Sequence, residues 1–486
     1  MASGLPPNLT YFMSRLQGVS TSHFKVYPQN TGTQTANRIV RFELPSNSLM
    51  NLKSTRILFN VEATSSNAQT ARLPNDTRSF IDRMAVYMGG VLVQNSFSNY
   101  NVLVHAQKAL GADRCSDSVL THQEICRKKS YHNGATLTTS ESYTTPDVQL
   151  AITDFLGFLQ AEPSIIDTGL FPQITVEITL ADNVIIPSIV TGSPVTGTVL
   201  ATTSTSGGFC ETSNVGGTYS ITEMTMQVEV LGMASSILDE IVAQRISQVG
   251  YLSIPFKNYF SFSSTHNTTS RFNINSSSWD KLWVCWRDPA NATAQAPQVV
   301  AGHKLQGAFV SAATATVAAQ VAGPLVAVQP IINISQDMGV PQYDLGGSYN
   351  TNSERYIARF FNFEERNAAP TTSPTNFQLQ INSANYPAYK LTVPEVYALT
   401  MNSIDIYDKT RMMSLDQYRK NFFVQVYRFD LPESSYSRVA SGLDSRNSSA
   451  QCAMVTENMT ADTNCFMFCE CTSELRVANR AIEVIV

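Results

Sequence analysis

Residues 171–180 read FPQITVEITL. Ile174, Val176, Ile178 and Leu180 are apolar, and Thr175, Glu177 and Thr179 between them are polar. In an extended chain every second side chain points to the same face, so this stretch has one dry and one wet face. That is the signature of a half-buried antiparallel strand, since a strand covered on both faces reads as a continuous apolar run. The same period recurs outward from it. VRFEL sets Val40, Phe42 and Leu44 against Arg41 and Glu43, and RILFNVE sets Ile57, Phe59 and Val61 against Leu58, Asn60 and Glu62. MTMQVEV sets Met224, Met226, Val228 and Val230 against Thr225, Gln227 and Glu229. The chain is predicted to be all-β, with few short helices.

Three stretches carry helix signals. Residues 98–112 (SNYNVLVHAQKALGA) offer Ser98 as a cap and Gly111 near the end. Residues 234–249 place Leu238, Ile241, Val242 and Val249 near one stripe behind Ser235 or Ser236. At Thr392 a T-x-x-E box with Glu395, and Pro394 in the first turn, opens the third.

The order of these elements occurs twice. A strand pair (40–44, 57–61) precedes RMAVYMGGVLVQ, which turns at Gly89-Gly90; then come the 98–112 helix, a long irregular stretch, ITVEITL, a loop and MTMQVEV. In the second half RFNIN (271–275) and KLWVCW (281–286) precede FQLQINSANYP (377–387). The Thr392 helix, FFVQVYRFD (422–430) and the closing CFMFCEC and ELRVANRAIEVIV segments follow. Each half is too long for an immunoglobulin sandwich of ~100 residues and suits an eight-stranded jelly roll. We therefore expect an N-terminal arm at 1–36, a first jelly roll at 37–232, a connecting helix at 233–249 and a second jelly roll at 250–486. Residues 183–219 hold one charged side chain, Glu211, and 290–336 hold only Lys304. Loops so long and so uncharged differ from solvated linkers, and we expect 183–219 and 290–350 to be outer loops that pack against other subunits.

Composition narrows the function. Of 486 residues only 15% are charged, below the ~25% of ordinary soluble domains. A net charge of −5, without a Lys/Arg-rich tail, argues against direct or sequence-specific nucleic-acid binding. No stretch of 18 apolar residues is present, and the N-terminal residues resemble neither a secretory leader nor a myristoylation site, with Ala2 after Met1. Eight cysteines are too few for a disulfide scaffold and fit reduced thiols in a product made inside a cell and not secreted. The sequons at Asn8, Asn267, Asn291, Asn447 and Asn458 are read as chance matches in an Asn/Ser/Thr-rich chain.

A search for chemistry finds no catalytic, cofactor-binding or metal site. There is no G-x-S-x-G, Walker A, G-x-G-x-x-G or H-E-x-x-H motif. His122 and His132 with Cys115 and Cys126 are elements that suit zinc, but their spacing is not that of a zinc site. Cys465, Met467, Cys469 and Cys471 share one strand face, where thiols pack as small hydrophobes. Asp239-Glu240 and Glu364-Glu365 are read as surface charge, and Arg127-Lys128-Lys129 as a solvated loop. The expectation is a protein that is not an enzyme and needs no cofactor.

The block Leu73–Leu110, LPNDTRSFIDRMAVYMGGVLVQNSFSNYNVLVHAQKAL, resembles one in double jelly-roll major capsid proteins. The similarity is greatest to those of polinton-like viruses and virophages, within the lineage of adenovirus hexons and tailless double-stranded DNA phages. Pro74, Ile81, Val86, Gly89, Gly90, Asn99, Tyr100 and Leu103 match that pattern, with Gly89-Gly90 replacing the usual Asn-Gly. Residues 377–389 (FQLQINSANYPAY) resemble its counterpart in the second roll, with Asn382-Ser383 at the turn. The block is under a tenth of the chain, and the duplicated element order extends the similarity. The resemblance implies a structural major capsid protein of an icosahedral double-stranded DNA virus, forming homotrimeric, pseudo-hexameric capsomers in the virion. Its implied partners are neighbouring capsomers, penton and minor capsid proteins and, through outer loops, a host receptor. A receptor- or glycan-binding β-sandwich (a spike or adhesin) and a jelly-roll hydrolase are the other readings of the strand pattern.

Overall fold

The alternating stretches are strands, and their apolar faces meet in two sandwiches. A computed structural model describes residues 20–65, 70–72, 77–110, 130–132, 150–161, 163–182, 186–188, 217–232, 250–289, 297–299, 356–404, 415–430, 442–446, 450–478 and 481–486. In the first half the principal elements are β1 (Ser20–Val26), β2 (Ile39–Glu43), β3 (Leu49–Ser65), β4 (Ile81–Met88) and β5 (Val91–Phe97). They continue with α1 (Tyr100–Leu110), β6 (Leu150–Ile152), β7 (Ile165–Asp167), β8 (Ile174–Leu180) and β9 (Gly217–Gly232). The second half runs β10 (Leu252–His266), β11 (Thr269–Ile274), β12 (Trp279–Arg287), β13 (Asn376–Ile381) and β14 (Ala384–Thr392). It ends with α2 (Val393–Ser403), α3 (Leu415–Asn421), β15 (Val424–Arg428), β16 (Ala450–Glu457), β17 (Thr463–Ala478) and β18 (Ala481–Ile485).

One sheet of the first half has the order β1-β9-β3, with β6 and β7 side by side along the far edge of β3; the facing sheet is β2-β8-β4-β5. The second half repeats this strand for strand, as β10-β17-β12-β15 and β11-β16-β13-β14, with β18 added on β17. All these pairings are antiparallel. Counting β6 and β7 together as the sixth strand of the first half, both orders are first-eighth-third-sixth and second-seventh-fourth-fifth, which is the wrapping of a jelly roll. The fold is a double jelly roll, as the repeated element order predicts. Two small sheets accompany it: Ile186–Ser188, Thr70–Arg72 and Ser130–His132 form one, and Pro297–Val299 with Tyr356–Ala358 the other.

Register explains the core. Val176 of β8 lies opposite Phe42 of β2 and Val86 of β4, and all three are fully buried. Met226 of β9 lies opposite Ile57, itself opposite Ile152, again all buried. In the second roll Cys469 stands opposite Phe260 and Leu282, and Met467 opposite Val284. Cys465, Met467, Cys469 and Cys471 are fully buried, so the apolar stripe read from the sequence is core.

The fourth and fifth strands turn where the sequence says. Gly89 and Gly90 have φ of +56° and +86°, and a Cβ on Gly89 would lie 2.7 Å from a Pro172 carbon. The second roll places Asn382 and Ser383 there, at φ +48° and +68°. In both rolls the fifth strand leads into a helix. The Thr392–Glu395 capping box at α2 is formed, with Thr392 N–H donating to Glu395 at 2.7 Å. Ser98, expected to cap α1, does not; its hydroxyl lies 3.2 Å from the Ser261 hydroxyl of the second roll, and Asn99 makes the entry at φ +60°.

Some expectations are corrected. The stretch expected as an arm, 1–36, contains β1 and Gln34–Thr35, which pair with β9. β1 alternates no apolar face, being exposed along all but its last residue, so the period-two signal passes it by. CFMFCEC and ELRVA form one 16-residue strand, β17, which hairpins to β18. The connecting helix at 233–249, residues 1–19 of the arm, and most of the loops 183–219 and 290–350 lie outside the described residues.

Candidate assembly surfaces

The two rolls meet edge to edge. Strand β5 is the outer strand of its sheet in the first roll, and β10 is the outer strand of its sheet in the second. An outer strand presents unpaired backbone donors that need partners once water is excluded. Here side chains supply them. The Asn95 N–H donates to Asn258 Oδ1 at 3.1 Å, and the Ser98 N–H donates to Ser261 Oγ at 3.0 Å. Between these bonds the Phe97 ring, 1% exposed, sits 5.5 Å from Tyr259 and 6.3 Å from Phe468. Phe158 meets Phe256 edge-on at 5.5 Å, and His105 of α1 stacks at 3.7 Å on Phe361. A cavity of about 330 Å³ opens between Arg83 and Ser96 on one side and Phe260 and Phe262 on the other.

Behind the junction, charge is buried under control. Asp280 of β12 is fully buried, and its carboxylate accepts from Lys257 Nζ at 2.7 Å, Thr472 Oγ1 at 2.6 Å and Ser278 Oγ at 2.8 Å. Glu470 lies 3.9 Å from the same Lys257 Nζ and accepts from Trp283 Nε1 at 3.0 Å. Burial by itself lowers the Lys257 pKa, but Asp280 and Glu470 outweigh it and hold the ammonium above its ordinary value. Three donors and an ion pair replace the hydration this buried carboxylate gives up.

Other surfaces are bare. In β1 Phe24 is 48% exposed, and Tyr27 just beyond it is 66% exposed. In β14, the fifth strand of the second roll, six of nine residues are exposed, Tyr386 and Tyr389 among them. The corresponding β5 buries Val93, Gln94 and Phe97.

Among the described residues, those considered for chemistry do not converge. Cys115, Cys126, His122, His303, Asp239-Glu240 and Arg127–Lys129 lie outside the described residues. Among the described residues no three His, Cys, Asp or Glu side chains group as metal ligands. Glu365, expected on the surface, has its side chain 3% exposed and pairs with Arg419, which shields it. His266 is fully buried, its ring nitrogens 2.6 Å from Ser270 Oγ and 2.7 Å from Thr456 Oγ1. Burial lowers its pKa to about 4, so the ring is neutral and serves as a hydrogen-bonding core group. Burial pushes the Cys452 and Cys471 thiols up to about 12 and those of Cys285, Cys465 and Cys469 upward as well, which makes all five poor nucleophiles. The junction itself escapes a reading of the sequence, although the aromatic run FKNYFSF (256–262) was a signal.

No protein-family model matches the chain, and no curated protein matches it by sequence. Solved structures do. PBCV-1 VP54, fitted into a reconstruction of the virophage Sputnik, superposes with a TM-score of 0.52 at 10% identity, covering 96% of this chain and 97% of that one. The Faustovirus major capsid protein gives 0.51 at 10% identity, over 98% and 92%. A quasi-atomic PBCV-1 virus capsid chain gives 0.50 at 10% identity, over 96% and 97%. At such identity the likeness is one of fold, and it spans both rolls.

Proposed function

We propose that this chain is a major capsid protein of an icosahedral double-stranded DNA virus, three copies of which form a pseudo-hexameric capsomer. The observation that carries the reading is the duplication itself: one chain holds two rolls of identical strand order, joined edge to edge, over the full length of capsid proteins with the same fold. Two like rolls per chain let three chains present six similar units, which suits a hexagonal lattice. The low charge supports it independently, because interface cores are depleted of charged residues. In this reading the chain works by packing, with no catalytic step and no cofactor. It is assembled inside the host cell, its neighbours are other capsomers, penton and minor capsid proteins, and the loops at 183–219 and 290–350 are its outward, receptor-facing towers.

Native mass spectrometry tests the reading. Three copies per particle at low concentration, and hexagonal arrays in electron micrographs, are expected. A stable monomer at micromolar concentration, together with binding on a glycan array, would overturn it in favour of a spike or adhesin.

A further inference from the structure

Three charged residues stand in strands that otherwise read as core: Lys257 in FKNYFSF, Asp280 in WDKLWVCWR and Glu470 in CFMFCEC. Register brings them together. β17 runs between β10 and β12, with Thr472 opposite Lys257 and Glu470 opposite Lys281. Between Trp279 and Lys281 the ladder slips by one residue, so Asp280 is the extra residue of a bulge. A bulge re-aims the side chain it carries. Here the Asp280 carboxyl lies 2.7 Å from Lys257 Nζ, across β17. We infer that Lys257 and Asp280 condense to an amide, with Glu470 as the acid–base group, and so tie β10 covalently to β12.

The site is built for that step. Asp280 is fully buried, and a Cβ on Gly442 would lie 2.6 Å from its Oδ1, so backbone seals that side. The Gly442 N–H donates to Ser278 Oγ at 3.0 Å, which leaves the Ser278 hydroxyl to donate to Oδ1. Thr472 Oγ1 accepts from Lys257 Nζ at 3.0 Å and donates to Asp280 Oδ2 at 2.6 Å. Glu470 is oriented by Trp283 Nε1, and its other oxygen lies 3.9 Å from Nζ. The Lys257 side chain, 41% exposed, gives released water a way out. Lys390 and Glu457 make a contrasting contact, with side chains 53% and 46% exposed, where water competes for both groups.

The step balances within the three residues. The Lys257 ammonium passes one proton to Asp280 Oδ2, giving an amine and a carboxylic acid. Nζ then attacks Cγ, a C–N bond forms, and the carbonyl pair moves to Oδ1, where the Ser278 hydroxyl stabilises the charge. Glu470 takes a proton from the nitrogen and returns it to the Oδ2 hydroxyl, which leaves as water while the carbonyl reforms. The reacting forms differ from the ion pair only in where one proton sits, and the raised Lys257 pKa keeps that proton in the pair at neutral pH. Hydrolysis is favoured between free groups in water, but groups held in place reach effective concentrations of roughly 10⁵–10⁸ M, which reverses the balance. The product also removes two charges from a dry site. It forms once per chain, without turnover, and pins the edge strand that carries Asn258 and Ser261 of the junction. None of this depends on the capsid reading.

Mass spectrometry tests the inference on the full, unsubstituted chain, denatured after prolonged incubation at neutral pH. Its mass should fall below that of the sequence by one water, and proteolysis should release a branched peptide joining Lys257 to Asp280. Lys257→Arg keeps the charge but should retain full mass. Asp280→Asn should lose ammonia in place of water and give the same branched peptide. Glu470→Gln, with unchanged far-ultraviolet dichroism, should form the bond roughly a hundredfold more slowly. Full mass in the unsubstituted chain would overturn the inference. So would loss of water without the branched peptide, as from a cyclised aspartate. A Glu470→Gln rate equal to that of the parent would overturn the part assigned to Glu470.

Discussion

The two rolls have the same wrapping and opposite exposure. In the first roll, β1 is exposed along nearly its whole length and β3 buries alternate residues from Ile57 to Val61. In the second, β10 is partly covered and β12 is buried at eight of nine positions, on both faces. Since topology is common to both, the difference comes from what packs outside the sandwich. The first roll, through Phe97 and Phe158, covers the second roll's first sheet, and no described part of the chain does the same for β1. Sequence records the difference: β12 reads WDKLWVCWR, with little alternation, as a strand between two dry layers must.

The largest expected effect breaks a sandwich outright. Val228→Asp on the inner face of β9, 1% exposed, buries an unpaired charge and should cost several kcal/mol, enough to leave no folded protein by circular dichroism. Next in size, Phe97→Ala should destabilise the junction by about 3–5 kcal/mol, the range for a buried Phe. Calorimetry should then resolve two unfolding transitions, one for each roll; a single unshifted transition would show that the junction contributes little.

Acid should act on the second roll through His266. His266 is neutral in the fold with a pKa of about 4, against 6.5 when unfolded. Between those values the unfolded chain binds more protons, so stability falls as pH drops through 6.5 and levels off below 4. The loss from this group amounts to about 3 kcal/mol at ~1.4 kcal/mol per unit. Denaturant titrations at pH 7 and pH 5 should show it, and His266→Gln should flatten the dependence. The smallest effect is local: Thr392→Ala removes the cap of α2 and should cost about 1 kcal/mol by thermal melt.

Much of this was legible in one dimension. Strands with one wet face declare themselves by alternation, so β2, β3, β8 and β9 were located by pattern, and the turns at Gly89-Gly90 and Asn382-Ser383 by residue type. The repeated order of those elements was enough to indicate two jelly rolls. The strands that escaped were of two kinds. β6 and β7 are three residues each, too short for any period to register. β1 alternates nothing, because neither of its faces is dry among the described residues.

What the sequence by itself determined was therefore the inner face of each strand with one wet face, since there apolar burial is written into every second residue. The tertiary structure alone decided which edges meet. Ser98 had the makings of a helix cap and went to Ser261 instead, and Phe97 plugs a junction whose other wall is more than 150 residues further along the chain. Glu365 looked like surface charge until Arg419 was brought against it. Such contacts depend on pairs of residues distant in sequence, and a local pattern holds only one member of each pair.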